Sequence, residues 1–69
     1  MITLHRLGGE GEAFVLNVDL IATIEAHPDT VVTLTTERRH VVTETVDEVV
    51  EAVREWRVSL LTSALKRKH

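Results

Sequence analysis

Four sets of residues in this 69-residue chain are of types that could do chemistry. Ser59 and Ser63 are candidate nucleophiles, and His5, His27, His40 and His69 are candidate bases or metal ligands. Asp47, Glu51 and Glu55 recur every four residues, which on a helix lines the carboxylates along one face. Gly8-Gly9-Glu10-Gly11 has the glycine content of a phosphate cradle. None of the four sits in the setting its chemistry requires. No glycine elbow surrounds either serine. No two histidines have the i, i+4 spacing of a helical metal site, although His5 and His40 could face each other across strands. Carboxylates repeated along a helix usually make a solvated face. Glu44 and Glu48 add to the same negative end, where a basic partner surface could be held. The glycine segment leads into a strand rather than a helix N-terminus and carries acids, so it reads as a hairpin turn. There is no cysteine, which excludes disulfides and thiolate metal sites. We expect a protein that is not an enzyme and carries no cofactor or metal.

Binding chemistry is the next question. Arg38-Arg39 and Lys66-Arg67-Lys68 are the two basic clusters, in a chain of net charge -3. A generic phosphate-binding surface needs more clustered positive charge than this, and with only Phe14 and Trp56 as aromatics there are few platforms for stacking bases. Arg38-Arg39 suits a charged hairpin tip. Lys66, Arg67 and Lys68 suit the negative end of a helix dipole, or peripheral contact with anionic lipid headgroups. Trp56 is either core or an anchor at an interface, where tryptophan is enriched.

The elements that would carry these residues follow from periodicity. Hydrophobic residues make up 43% and charged residues 28% of the chain, as in a folded domain. At this length a single domain, residues 1–69, is expected. Residues 1–43 read as short strands: Met1–Leu7, Ala13–Leu16, Leu20–Ala26, Val31–Thr36 and His40–Thr43. Asn17 and Asp19 have the spacing of a turn that bonds its own backbone. Along the third strand, alternation puts Leu20, Ala22, Ile24 and Ala26 on one face. His27-Pro28-Asp29-Thr30 breaks the pattern because Pro28 offers no ladder donor. Glu37-Arg38-Arg39 is the next turn. Short loops throughout predict an antiparallel meander of five strands.

From residue 45 the period becomes 3.6. Thr45-Val46-Asp47-Glu48 is a capping box, in which the Thr45 hydroxyl accepts from the Glu48 amide and the Glu48 carboxylate accepts from the Thr45 amide. Val46, Val49, Val50, Val53, Trp56, Leu60, Leu61, Ala64 and Leu65 form an apolar stripe, predicting one amphipathic C-terminal helix over residues 45–67. The fold class is therefore α+β, a small five-stranded antiparallel meander followed by that helix. A helix of about 30 Å is longer than a strand of roughly 20 Å. Its first half can cover the sheet, and its second half has nothing beneath it. A small domain without disulfides is close to the limit of what one core can hold together, so we expect a homo-oligomer. Its interface would be Val53, Trp56, Arg57, Leu60, Leu61, Ala64 and Leu65.

The motifs come in a recognisable order. Phe14-Val15-Leu16-Asn17-Val18-Asp19-Leu20-Ile21 is followed by Ile24-Glu25-Ala26 and by Pro28-Asp29-Thr30-Val31-Val32-Thr33-Leu34-Thr35. Then comes Val41-Val42-Thr43-Glu44-Thr45-Val46-Asp47-Glu48-Val49-Val50. This order resembles the FlbD family of small flagellar proteins, also known by the swarming-motility name SwrD, over roughly residues 1–58. The resemblance implies a bacterial cytoplasmic protein tied to flagellar motility, without known enzyme chemistry, that supports motor power. Asn17, Asp19, Pro28, Asp29 and Thr30 correspond best, as turn residues or as partner contacts. Val18 stands where the family often has proline, and Glu37-Arg38-Arg39 replaces a turn that often contains glycine. The expected function is a non-enzymatic motility accessory acting by protein–protein contact with flagellar motor or other motility proteins. The expected place is the cytoplasm, at the inner face of the membrane near the flagellar base, since no signal peptide or membrane-spanning run is visible. The alternatives are a small strand-rich nucleic-acid-binding regulator and a membrane-surface adaptor.

Overall fold

The computed structural model describes residues 1–26 and 28–66, with the side chain of Lys66 excepted. The expectations attached to His27, Arg67, Lys68 and His69, and to the Lys66 side chain, lie outside the described residues. Five strands and one helix follow in chain order: β1 Ile2–His5, β2 Ala13–Leu16, β3 Ile21–Ala26, β4 Thr30–Leu34, β5 Arg39–Val42 and α1 Val46–Lys66. The α+β class and the antiparallel pairing of β1 with β2, β3 with β4 and β4 with β5 are those read from the sequence.

The meander is divided into two sheets, β1-β2 and β3-β4-β5. The division falls at a one-turn 3-10 helix, Val18–Leu20, built as Asn17 and Asp19 predicted. The Asn17 side-chain oxygen accepts from the Asp19 amide at 3.0 Å, and the Leu20 amide donates to the Asn17 carbonyl at 3.1 Å. Val18 is the first residue of that turn, and it is buried. Proline is favoured at such a position, so a valine here keeps the geometry and adds to the core. The sheets are rejoined at the far end of β1. Arg6 bridges Val42, the Leu7 amide donates to the Val41 carbonyl at 3.0 Å and the Thr43 amide to the His5 carbonyl at 2.9 Å.

The core lies between the sheets and the first half of α1. Ile2, Leu4, Leu16, Val18, Val32, Leu34, Val42 and Val49 are buried there. β1 and β4 alternate strictly. Thr30, read from the sequence as part of the break, opens β4 and is buried, because it pairs with both Ala26 and Val42. β3 departs from its expected alternation. Its register to β4 shifts between Ile21, opposite Leu34, and Thr23, opposite Thr33. The extra residue is a bulge. Ile21 and Ile24 therefore pack on the core side together, while Ala22 and Ala26 are exposed.

Two turns show why their residues suit them. In the β1–β2 hairpin Gly8, Gly9 and Gly11 all have positive φ, at 88°, 53° and 68°. A Cβ would meet nothing at any of them, so the requirement is backbone sign rather than space. The β4–β5 turn closes one residue earlier than expected, and Arg39 belongs to β5. The Leu34 amide donates to the Arg38 carbonyl at 2.8 Å and the Glu37 amide to the Leu34 carbonyl at 2.9 Å. Glu37 is forced to φ 72°, the left-handed region.

The capping box forms as predicted. The Glu48 amide donates to Thr45 Oγ1 at 3.1 Å and the Thr45 amide to Glu48 Oε1 at 3.0 Å. From that start α1 runs 21 residues, roughly 31 Å. It touches β1 and β3, with Val49 fully buried and Ala52, Val53 and Trp56 packed at the edge of the core. Beyond Trp56 it leaves the sheets, which stretches the molecule to 47 Å in one direction against 24 and 19 Å in the others.

Two substitutions test this account by denaturant unfolding. Thr45→Ala removes one half of the cap and should lower stability by about 1 kcal/mol. Glu37→Gly relieves the left-handed backbone and should raise the unfolding midpoint by the equivalent of about 1 kcal/mol; an unchanged or lowered midpoint contradicts a strained turn.

Candidate functional site

The residues singled out for chemistry are kept apart. Ser59 and Ser63 lie exposed on α1, as do Asp47, Glu51 and Glu55. Glu51 is occupied by Arg54, whose Nη2 donates to Oε1 at 2.7 Å and whose Nε donates to Oε2 at 3.1 Å. That hydrogen-bonded pairing lowers the Glu51 carboxyl and raises the Arg54 guanidinium from their ordinary values. His5 and His40 do not meet. Among the described residues no group of three or more His, Cys, Asp or Glu could hold a metal ion.

Each of these histidines instead joins parts of the fold. His5 donates its backbone N–H to Glu44 Oε1 at 3.0 Å, and its Nδ1 lies 2.6 Å from Oε2. Burial pushes the Glu44 carboxyl up, but the His5 hydrogen bonds outweigh it and hold the group below the usual range. The Glu44 side chain is only 17% exposed. It fastens the end of β1 to the residue just before the α1 cap. Nothing in the sequence marks this contact, because its partners are 39 residues apart. His40 belongs to a second cluster. The Arg6 guanidinium sits 4.4 Å over the Phe14 ring, the His40 ring lies 5.0 Å from Phe14, and Arg6 Nη1 approaches His40 Nδ1 at 3.4 Å. An arginine only donates, so Nδ1 is the acceptor there. Arg6 follows Leu4 by two residues, Phe14 precedes Leu16 by two and His40 precedes Val42 by two. All three therefore share the core side of their chains and continue the core toward its edge.

The remaining surface of note is apolar and belongs to α1. Of the expected interface residues, Val53 and Trp56 are half-buried at the core, whereas Arg57, Leu60, Leu61, Ala64 and Leu65 are exposed. Leu60 is 50% exposed, and Leu61 and Leu65 are each 63% exposed. Val58 joins this surface, although the stripe as read from the sequence omitted it. It lies three residues before Leu61 and seven before Leu65, the spacing of one helical face. Beside the stripe lies a groove of about 160 Å³ lined by Val18, Ile21, Ile24, Val50, Val53 and Arg57. The groove depends on the β3 bulge, which aims both isoleucines at α1. Strict alternation could not have revealed it. The turn residues Asn17, Asp19, Pro28 and Asp29 and the cap residues Thr45 and Glu48 are exposed. The described geometry gives Asn17, Thr45 and Glu48 hydrogen bonds that shape the backbone.

The Glu44 tie has a pH signature. A carboxyl held below its ordinary value of 4.5 when folded contributes stability at neutral pH that is lost as pH falls through the folded value. Glu44→Gln should lower stability at neutral pH by about 1.5 kcal/mol. It should also make the unfolding midpoint fall less steeply than that of the parent chain on acidification below 4.5. Parallel pH profiles for the two chains would contradict the assignment.

The model of one family, FlbD, described as flagellar and swarming motility proteins, matches residues 1–61, and the match therefore runs through Val53, Trp56, Leu60 and Leu61 of α1. No curated protein and no solved structure matches the chain.

Proposed function

The chain belongs to the FlbD family of flagellar and swarming motility proteins, and on that footing we propose that it acts in motility by protein–protein contact. In this reading it is a non-enzymatic accessory that supports the flagellar motor or its stator. It works in the cytoplasm, at the inner face of the membrane near the flagellar base. The observation that carries the reading is the second half of α1. Leu60, Leu61 and Leu65 project past the sheets with half or more of their surface in water. A contiguous apolar surface of this kind on a small protein marks an interaction site. Among the described residues no helix is long and apolar enough to cross a membrane.

The test is a swarming assay in a motile bacterium whose own copy carries the substitution. Leu60→Glu places a charge on the projecting surface, away from the buried core. The variant should accumulate and keep its circular dichroism spectrum, while the swarm front advances several-fold more slowly than wild type. Ser59→Glu, exposed on another side of the helix, should swarm normally. Normal swarming by Leu60→Glu would contradict the reading.

A further inference from the structure

We propose that the first occupant of the α1 surface is a second copy of the chain, paired antiparallel about a two-fold axis at Arg57. Each copy would place Leu61 in the other's groove. The proposal deepens the contact reading of α1 and has its own consequences in the purified protein.

Its basis is that the helix carries both halves of one contact. Residues four apart form a row along a helix, and Val49, Val53, Arg57, Leu61 and Leu65 are such a row. The groove lies toward one end of this row, with Val50 and Val53 in its wall. The exposed leucines lie toward the other end. Arg57 stands midway and also lines the groove. It is about 6 Å along the helix from Val53 in one direction and from Leu61 in the other. A two-fold rotation at Arg57 therefore exchanges the position of Val53, in the groove wall, with that of Leu61. Such self-complementarity is the condition for a closed, isologous dimer. The groove volume, about 160 Å³, is close to that of a cavity that takes up a benzene-sized group, so a leucine side chain fits it.

Charge points to the same arrangement. The first turn of α1 is acidic, with Asp47 and Glu48. The sequence that follows Leu65 is basic, Lys66-Arg67-Lys68. Antiparallel pairing about Arg57 sets the C-terminal end of α1 beside the acidic first turn of the other copy and opposes the two helix dipoles. A parallel pair would set like charges side by side. One feature works against the dimer: the two Arg57 guanidinium groups approach each other at the axis. Arg57 makes no salt bridge among the described residues, so nothing there neutralises it. This gives the arrangement a signature that contact with an unrelated partner lacks.

The test is sedimentation equilibrium of the full chain from micromolar to submillimolar concentration, with circular dichroism on every variant. Wild type should show a monomer–dimer equilibrium. Leu61→Glu should weaken it by more than about tenfold, whereas Arg57→Leu should tighten it several-fold. The chain has no cysteine, so a single introduced thiol reports on one position. Under mild oxidation Arg57→Cys should form a disulfide-linked dimer, and Thr62→Cys should not. Wild type that stays monomeric across the range would overturn the proposal, and so would a dimer that survives Leu61→Glu or equal cross-linking at the two cysteine positions.

Discussion

The structure depends on a mismatch of lengths. α1 has 21 residues and the longest strand has six, so the helix is roughly 10 Å longer than any strand beneath it. Where the surplus falls is decided at the helix start. The Thr45–Glu48 box fixes the first turn, and the residue just before it, Glu44, is fastened to His5 at the end of β1. With the N-terminus of α1 held against the core, the excess emerges at the C-terminal end. The apolar side chains do not stop where the sheets stop, and this turns a surplus of length into a surface.

The β3 bulge adds the second element. It tilts Ile21 and Ile24 to the same side and leaves an apolar groove next to α1. The fold thus has an apolar recess and apolar projections on one helix, with an arginine between them. A domain this small has little core to spare. In the proposed dimer, burial against the other copy would add stability beyond that of its own sheets and would link the folded state to assembly.

Much of this was legible in local pattern. The strands, the Asn17 turn, the capping box and the point at which the helix outruns the sheet rest on neighbours within a few residues. The division into two sheets, the β3 bulge, the His5–Glu44 tie and the Arg6–Phe14–His40 cluster were not. Each depends on which distant strand lies alongside, and a one-residue bulge leaves no mark in alternation. Glu37 is intermediate: the family resemblance placed a glycine-type turn there, and the residue present adopts the glycine-type φ. Val58 was legible too, since it stands three residues before Leu61 and seven before Leu65, but the stripe as read passed over it.

For this 69-residue member of a flagellar and swarming motility family, the proposed function by contact rests on the same length mismatch that shapes the fold. The most direct test of that claim is amide hydrogen exchange along α1 as a function of protein concentration. If the projecting half is a surface meant for another copy, residues 46–56 should be protected at all concentrations. Residues 58–65 should exchange quickly in dilute solution and become protected as concentration rises. Exchange in residues 58–65 that does not change with concentration would contradict the account.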